Sequence, residues 1–418
     1  MTASDMMKAL VLRPQSQSLA VEDVTVPKPG PKQILIKVQA VALNTVDVMN
    51  VDHSLALQDR RVVGTDFAGL VETIGEDLKY LEDPRVKIGA RVAGFVQGAN
   101  STNERPGAYA EYVLTDYDLT WRVADSVPLE NAATISMCGI TAAQGLFYRM
   151  GFPCPFYGTP TFGDVEEPVN VFIYGATTNV GIFAAQLVRI AEKTAGKPIR
   201  LIGAASASKH ASLKGAPYGY DVLVDYKNDD WPEQVHEATG GRGVSYAVDT
   251  VSIGPTVAMV ERTLSPSGKF AAYRTPSIGG FDMATLKIKP VVGPVWEGLG
   301  AEIGYHGVTL PANPEARSFA AVFFKFISQE PTPGFNVLQS VPVRLMPGGL
   351  DQIITDGFSV LRNSPMISRT ASDRKDDAHL RPVSMEKLNL LASVRAGKFF
   401  TSQGHSAFRI ITSVEEVE

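Results

Sequence analysis

A glycine-containing turn between two apolar segments is the part of this sequence that most directly indicates chemistry. Residues 169–174 form a nearly continuous apolar run, as in a buried parallel strand, and Tyr174-Gly175-Ala176-Thr177-Thr178-Asn179-Val180-Gly181 follows it. Residues 182–188 then read as a helix. A turn of this kind presents backbone N–H groups and the positive end of the helix dipole to a pyrophosphate. The pattern favours dinucleotide binding, although a plain strand-to-helix turn with packing glycines gives the same signal.

The end of the next predicted strand, residues 200–205, indicates which dinucleotide would bind. An enzyme that uses NAD usually places Asp or Glu here, where it binds the ribose 2′-hydroxyl. This chain has Ser206, Lys209 and His210 instead, and these groups suit the 2′-phosphate of NADPH. The alternative is that Ser206 caps the following helix while Lys209 is a solvated charge, and both roles can hold together.

The elements around these residues fall into two patterns. Residues 7–125 read as short strands separated by Gly and Pro, and residues 33–41 alternate polar and apolar side chains as a half-buried strand does. From residue 169 to about residue 275, strands and helices alternate, which predicts a doubly wound parallel α/β sheet. We therefore divide the chain into a β-rich domain (1–140), an α/β domain with the dinucleotide turn (141–330) and a segment that returns to the β-rich domain (331–418).

Composition sets limits on the class of protein. The 418 residues are 44% hydrophobic and 20% charged with a net charge of -5, which is ordinary for a globular protein of two or three domains. There is no Lys/Arg block, so we expect no nucleic-acid partner. Cys138 and Cys154 are the only cysteines, too few for a disulfide framework. The sequence lacks an apolar signal region and a membrane-length apolar run, so we expect a cytoplasmic protein without a membrane partner.

Several motifs occur in the order of a known superfamily. They are the opening strand from Met7, Gly64-Thr65-Asp66-Phe67-Ala68-Gly69, Gly107-Ala108-Tyr109-Ala110-Glu111-Tyr112, Gly139-Ile140-Thr141-Ala142-Ala143 and the turn described above. Over residues 7–350 the chain resembles the medium-chain dehydrogenase/reductase superfamily. It looks most like the fungal trans-acting enoyl reductases of polyketide biosynthesis, with quinone oxidoreductases the next nearest group. The resemblance implies an α/β protein with a GroES-like catalytic domain and a Rossmann cofactor domain.

The resemblance also bears on metal binding. The zinc-dependent branch of the superfamily carries Cys at the position of Asn44 and a His-Glu pair at Thr65-Asp66. Cys138 falls where a third ligand could sit, but a catalytic zinc needs three protein donors. The four-cysteine structural zinc site cannot form with two cysteines. We expect no metal and interpret Cys138 as a small buried hydrophobic residue near the cleft.

The resemblance implies contacts to each part of the cofactor and to the substrate. The implied cofactor contacts are Val46, Asp47, Val48 and Met49 on the nicotinamide side, Thr141 near the carboxamide, Asn179, Val180, Gly181 and Ile182 at the pyrophosphate, Ser206, Lys209, His210 and Tyr226 around the adenosine phosphate, Thr275 and Pro276 closing over the cofactor, and Val383 and Ser384 near the C-terminus. The implied substrate contacts are Ala142, Ala143, Gln144, Gly145, Leu146, Phe147, Tyr148 and Arg149. Asp249 lies at a predicted strand end, where a structural capping role is about equally expected, and we do not count it as catalytic.

The C-terminal part departs from the family pattern. Family members pass from a helix like residues 357–361 through a short turn into a final strand. Here a charged segment, residues 369–381, comes between them. Residues 383–388 resemble the expected final strand.

The expected reaction follows from the expected absence of zinc. Hydride transfer to a C=C bond conjugated with a carbonyl needs no metal, because the charge delocalises onto an enolate oxygen. The resemblance implies NADPH-dependent reduction of the α,β-double bond of a polyketide thioester beside a polyketide synthase. A quinone or small-enone reductase and a non-catalytic NADPH-binding protein are the alternatives. The sequence does not indicate a proton donor, so no catalytic residue is assigned.

Overall fold

The structure of the chain is a computed structural model that describes residues 6–16, 18–52, 59–99, 106–158, 161–163, 168–305, 308–346, 348–362 and 409–413. The charged segment 369–381, the suggested final strand 383–388 and the implied cofactor contacts Val383 and Ser384 lie outside the described residues.

The first part of the chain forms antiparallel sheets, as its short Gly- and Pro-separated strands predict. One sheet has the order β2-β1-β4. The larger sheet has the order β16-β17-β3-β5-β6-β8, and β7 pairs with the edge of β3 opposite β5. The strands are β1 (Met6–Arg13), β2 (Ser18–Thr25), β3 (Gln33–Leu43), β4 (Arg61–Val62), β5 (Asp66–Ile74), β6 (Arg91–Phe95), β7 (Tyr112–Asp116), β8 (Thr120–Arg122), β16 (Val343–Met346) and β17 (Arg409–Ser413).

Two strands from the C-terminal part complete the larger sheet. β17 runs parallel to β3 and antiparallel to β16. The strand that joins β3 is therefore residues 409–413, farther along the chain than the residues 383–388 that resemble the family's final strand.

The middle of the chain forms a parallel sheet of order β11-β10-β9-β12-β13. Because the strands run parallel, their carboxyl ends share one edge of the sheet, and a helix follows each strand. The strands are β9 (Val169–Tyr174), β10 (Ile199–Ala204), β11 (Val222–Val224), β12 (Val244–Asp249) and β13 (Leu264–Ala272), and the helices are α4 (Asn179–Ala195), α5 (His210–Lys214), α6 (Trp231–Ala238), α7 (Thr256–Glu261) and α8 (Pro276–Gly279). The order changes direction between β9 and β12, which is where α/β sheets bind ligands. The predicted fold class is confirmed.

Helices and a shared core join the two sheets. Phe95 of the antiparallel sheet has its ring centre 6.0 Å from both Trp296 and Phe324. The joining helices are α1 (Thr45–Asp52), α2 (Leu129–Ala133), α3 (Ser136–Ala143), α9 (Pro314–Ile327), α10 (Leu350–Gln352) and α11 (Phe358–Arg362), with π-helical turns at Gln144–Arg149 and Ile353–Gly357, 3₁₀ turns at Glu76–Leu78, Pro84–Val86, Tyr117–Leu119, Ala207–Lys209, Met283–Thr285 and Val295–Leu299, and a hairpin of β14 (Ile303–Tyr305) and β15 (Val308–Leu310). The domain boundaries at residues 140 and 330 stay predictions, and residue 140 lies inside α3.

Within the described residues, each helix is too short or too polar to cross a membrane.

Candidate active site

The phosphate turn, residues 174–181, connects β9 to α4 at the carboxyl edge of the parallel sheet. Gly175 has a φ of 78°, and a Cβ at this position would lie 2.4 Å from the Thr250 hydroxyl oxygen. A Cβ on Gly181 would lie 2.2 Å from the Gly175 carbonyl oxygen. Both positions therefore require glycine, and the turn has the tight backbone packing of a dinucleotide-binding turn.

The N-terminus of α4 faces the space above this turn. Thr178 caps the helix, because its hydroxyl accepts a hydrogen bond from the Gly181 N–H (3.0 Å) and its carbonyl accepts one from the Ile182 N–H (2.8 Å). Asn179 and Val180 form the start of the first helical turn. Asn179 is not among the described residues with positive φ, so the backbone does not require a glycine at this position. What this end offers a pyrophosphate is the positive pole of the helix dipole.

The ends of β10 and β11 bring the predicted adenosine-phosphate residues together. The Ser206 hydroxyl lies 3.3 Å from the Tyr226 hydroxyl. Nε2 of His210 lies 3.0 Å from the Ala205 carbonyl oxygen, so this ring is engaged with the backbone. Ser206 makes no side-chain cap on the short helix that follows, which contradicts the capping alternative. The Lys209 ammonium makes no hydrogen bond or ion pair with other described residues.

Sequence reasoning missed one acidic residue at this end. Asp225 follows β11, and its carboxylate accepts hydrogen bonds from the Lys227 N–H (3.0 Å) and, more weakly, from the Ala207 N–H (3.3 Å). An acid is therefore present beside the Ser206–His210 turn, although it comes from the neighbouring strand. The position directly after a strand end, two strands along from the phosphate turn, was the available signal.

Helix α1 turns its four predicted nicotinamide residues in different directions. Val46 and Met49 are partly exposed, whereas Asp47 and Val48 are buried. The Asp47 carboxylate accepts hydrogen bonds from the Asn44 N–H (2.8 Å), the Thr65 hydroxyl (2.5 Å) and the Tyr109 hydroxyl (2.6 Å). In the structure the Asp47 side chain therefore points into the protein. Its carboxylate accepts the Asn44 N–H at the start of the helix, as in a capping box.

A second buried carboxylate lies next to the first. Nδ2 of Asn44 donates to Oδ2 of Asp66 (3.0 Å), and the Met137 N–H donates to Oδ1 of Asp66 (2.9 Å). The Cys138 sulfur lies 3.9 Å from Oδ1 of Asn44. We call Asn44, Asp47, Thr65, Asp66 and Tyr109 the polar core; it joins β3, α1 and β5 to the start of α3.

Burial controls the electrostatics of the polar core. Desolvation raises the pKa of Asp66 to about 8 and that of Asp47 to about 6, against the hydrogen bonds that both carboxylates accept. Desolvation, with a smaller contribution from Asp66, also raises the pKa of the Cys138 thiol far above its ordinary value. A protonated, buried thiol is a poor metal ligand.

Three residues of the polar core, Asn44, Thr65 and Asp66, stand where the resemblance implies Cys, His and Glu in the zinc-dependent branch. Asn44 and Thr65 supply an amide and a hydroxyl there, and both are engaged in hydrogen bonds. Within the described residues, no group of three or more His, Cys, Asp or Glu side chains could hold a metal ion. This donor set does not fit a catalytic zinc.

The segment predicted to contact substrate forms the wall between the two sheets. Thr141 is partly exposed, and its hydroxyl donates to the Met137 carbonyl oxygen (2.7 Å). Residues 142–147 are buried, and only Tyr148 and Arg149 are partly exposed. That these eight residues contact substrate stays a prediction.

Two polar residues of this wall already have partners. Gln144 is fully buried, and its Nε2 donates to the Val295 carbonyl oxygen (3.3 Å). Arg149 pairs with Glu297 (2.8 Å) and donates to the Pro294 carbonyl oxygen (3.0 Å). These contacts connect the π-helical turn to Pro294 and the 3₁₀ turn at Val295–Leu299.

The remaining predicted positions lie at strand ends of the parallel sheet. Thr275 and Pro276 begin α8 and are partly exposed. Asp249 is buried and accepts hydrogen bonds from the Ser252 N–H (2.7 Å) and the Thr256 hydroxyl (2.8 Å), which is the structural capping role.

Sequence reasoning also missed Tyr273, which follows β13. Its buried hydroxyl has no hydrogen-bond partner in the described part of the chain. The hydroxyl lies against Gly145, where a Cβ would approach it to 2.2 Å. Gly145 is therefore needed for packing in the wall.

The comparisons with known families agree with this architecture. Residues 30–125 match the model of the alcohol dehydrogenase GroES-like domain, and residues 180–290 match the model called zinc-binding dehydrogenase. The two matches agree with the expected resemblance to the medium-chain dehydrogenase/reductase superfamily, and the second match lies on the Rossmann part, where it supports nicotinamide dinucleotide binding.

The similar proteins include fungal reductases. The trans-enoyl reductase ACTTS2 of Alternaria alternata is 29% identical over 357 residues, which cover 85% of this chain and 95% of that protein. The trans-enoyl reductase traG of Penicillium crustosum is 28% identical, with 82% and 90% covered.

Solved structures share the fold. The CurK enoyl reductase matches with a TM-score of 0.64 at 16% identity and covers 98% of both chains. A putative zinc-dependent alcohol dehydrogenase protein of Rhizobium etli matches at 0.66 and 20% identity, with 86% of this chain and 95% of that one covered. A mycobacterial protein complexed with NADPH matches at 0.54 and 23% identity, with 76% and 88% covered.

Proposed function

We propose that this protein is an NADPH-dependent enoyl reductase that acts in trans and reduces the α,β-double bond of a carrier-bound polyketide thioester. The observation that carries the proposal is the similarity to proteins named trans-enoyl reductases over almost their full length. Such a match includes both the catalytic and the cofactor part of those proteins, so it concerns the whole reaction and not the cofactor alone.

The phosphate end of the site supports the choice of NADPH. The Lys209 ammonium has no protein partner among the described residues and could pair with a 2′-phosphate, with the Ser206 and Tyr226 hydroxyls beside it. The Asp225 carboxylate already accepts two backbone N–H groups. These hydrogen bonds hold the carboxylate at the backbone while its charge remains, so the choice of NADPH rests on Lys209 and the two hydroxyls.

The nicotinamide end supports reduction of a conjugated C=C bond. When bound, NADPH supplies the hydride. The partly exposed side chains of Val46 and Met49 on α1 and of Thr141 on α3 would hold the nicotinamide ring. Because the donor set here does not fit a metal, negative charge on the thioester oxygen must be stabilised by hydrogen bonds in a site that excludes water.

The substrate segment and the partner complete the proposal. In the wall of residues 142–149, the buried Leu146 and Phe147 form an apolar backing, an environment that suits an acyl chain, while Tyr148 and Arg149 are its partly exposed polar end. A polyketide synthase would present the thioester on its carrier domain.

The test is an assay of NADPH oxidation with a short enoyl pantetheine thioester, a simple quinone and an alkyl aldehyde in parallel. We expect turnover of the thioester and none of the aldehyde. The carrier-bound thioester should be reduced at least as well as the pantetheine thioester.

A variant that disables the phosphate turn, Gly175→Ala, is the negative control. Turnover of the quinone alone would assign the protein to the quinone reductases. Tight NADPH binding without turnover of any acceptor, carrier-bound thioester included, would favour the non-catalytic alternative.

A further inference from the structure

The Asp66 side chain ties together the starts of the two helices that form the proposed nicotinamide slot. One carboxylate oxygen accepts the Asn44 amide, immediately before α1, and the other accepts the N–H of Met137 in the first turn of α3. Asp66 is only 1% exposed, so water does not compete for either oxygen. Neither helix can move away from β5 without losing one of these hydrogen bonds.

Both helices carry residues that would contact the nicotinamide. Val46 and Met49 lie on α1, within the first turns after Asn44. Thr141 lies one turn after Met137 on α3, and its hydroxyl is bonded to the Met137 carbonyl oxygen (2.7 Å). The position of Asp66 therefore sets the positions of the residues on both sides of the slot.

We propose that Asp66 is a positioning residue for hydride transfer, which fixes the width of the nicotinamide slot by clamping α1 to α3. This inference rests on the proposed function, since it takes α1 and α3 as the nicotinamide slot. The clamp takes the place that a metal and its ligands occupy in the zinc-dependent branch, and it does so with hydrogen bonds.

The clamp depends on hydrogen-bonding capacity and not on charge. Burial raises the pKa of Asp66 to about 8, so the group need not be ionised at neutral pH. An Asn side chain at this position keeps one oxygen for the Met137 N–H. Its new NH₂ group can donate to Oδ1 of Asn44 if that amide rotates. Asp66→Asn should therefore preserve the clamp, whereas Asp66→Ala removes both bonds.

The matched control lies beside the clamp. Ser136, the first residue of α3, accepts a hydrogen bond from Nε1 of Trp121 (2.9 Å) and is fully buried. Ser136→Ala removes a buried hydrogen bond from the same helix start, but on the side of the Trp121 core. It should destabilise the protein without changing the slot.

The experiment compares the wild type with Asp66→Ala, Asp66→Asn and Ser136→Ala by kcat, by the dissociation constant of NADPH and by the fluorescence of bound NADPH. We expect Asp66→Ala to lower kcat by about tenfold or more, since small misplacements of reacting groups have effects of this size. Its NADPH dissociation constant should change by less than about threefold, because charge-assisted contacts at the phosphate end dominate binding. Asp66→Asn and Ser136→Ala should both keep kcat near the wild-type value.

Three results would overturn the proposal: a wild-type kcat for Asp66→Ala, equal losses in Asp66→Asn and Asp66→Ala, or an equal loss in Ser136→Ala. If Asp66→Ala does not fold, Asn44→Ala removes only one bond of the clamp and should give a smaller loss of kcat in the same direction. Nicotinamide fluorescence needs no substrate. If the wild type reduced no enoyl thioester, the proposed function would fail, while a changed fluorescence in Asp66→Ala alone would still support the clamp.

Discussion

The two ends of the proposed cofactor site are built in different ways. The phosphate turn is one continuous stretch, residues 174–181, and works through its backbone, where two glycines leave no room for a Cβ. The polar core is assembled from side chains on separate segments, and its carboxylates are almost fully buried. Substitutions at the phosphate end should therefore act by steric overlap, and substitutions at the nicotinamide end by loss of hydrogen bonds. The following experiments test that difference.

Asp47→Ala should have the largest effect on folding. It leaves the Thr65 hydroxyl and the Asn44 N–H without their acceptor, and the Tyr109 hydroxyl keeps only the Ala42 carbonyl oxygen at 3.2 Å. We expect a loss of about 3–5 kcal/mol from these unsatisfied buried donors. Chemical denaturation measures it. Asp23→Ala, which removes an exposed ion pair with Lys8, should change stability by less than about 1 kcal/mol. Equal effects of the two variants would contradict the role of the polar core.

Gly175→Ala should act at the other end of the site. The new Cβ combines a positive φ with a 2.4 Å contact to Thr250, so we expect about 2–4 kcal/mol of lost stability or NADPH affinity. Gly196→Ala is the control, because Gly196 ends the same helix with a φ of 64° but has no atom near its Cβ position. It should cost about 1 kcal/mol of stability and leave calorimetric NADPH binding unchanged. Normal NADPH binding by Gly175→Ala would show that the turn tolerates a side chain.

The pH dependence of stability should reveal the buried Asp66. Its pKa in the folded protein is about 8, above the ordinary value of 3.8, so the folded state keeps a proton that the unfolded state releases. This stabilisation is complete below about pH 4 and is lost as pH rises through about 8. The stability of the wild type relative to Asp66→Asn should thus fall as pH rises from 4.5 to 8.5, by at most about 1.4 kcal/mol per pH unit. A flat or rising difference would mean that Asp66 is ionised when folded.

Lys209→Ala should have a smaller effect that is confined to the cofactor. Loss of one charge-assisted hydrogen bond to the 2′-phosphate should weaken NADPH binding by about 1–3 kcal/mol and leave NADH binding unchanged. Asp225→Asn should shift the preference slightly further toward NADPH, because it removes the neighbouring negative charge. If the wild type bound NADH and NADPH equally, the assignment of NADPH would be wrong.

The difference between a continuous turn and a core assembled from separate segments also explains which parts of the site could be predicted from the sequence. The phosphate turn was predicted from eight contiguous residues, because a strand, a turn and a helix N-terminus are local features. The pairing of Asn44 with Asp66, and of Asp47 with Tyr109, depends on β3, β5 and the loop before β7 meeting in space. The resemblance placed Asp47 on the nicotinamide side, but the helical period of α1 turns it inward.

Two other differences between the sequence predictions and the structure also arise from contacts between distant segments. Asp225 reaches the adenosine end from a neighbouring strand, so the search of the residues after β10 could not find it. Gln144 and Arg149 were interpreted as substrate contacts from a local segment, while their partners Val295 and Glu297 lie far along the chain.

The central claim is reduction of a thioester double bond by hydride from NADPH, and the position of a label tests it most directly. The enzyme would be supplied with NADPH deuterated at the transferable C4 position and with an enoyl pantetheine or carrier-bound thioester, and the product would be examined by NMR and mass spectrometry. The account predicts a saturated thioester with a single deuterium at the β-carbon. Deuterium at the carbonyl carbon of an aldehyde or alcohol product, or recovery of the enoyl thioester unchanged, would contradict it.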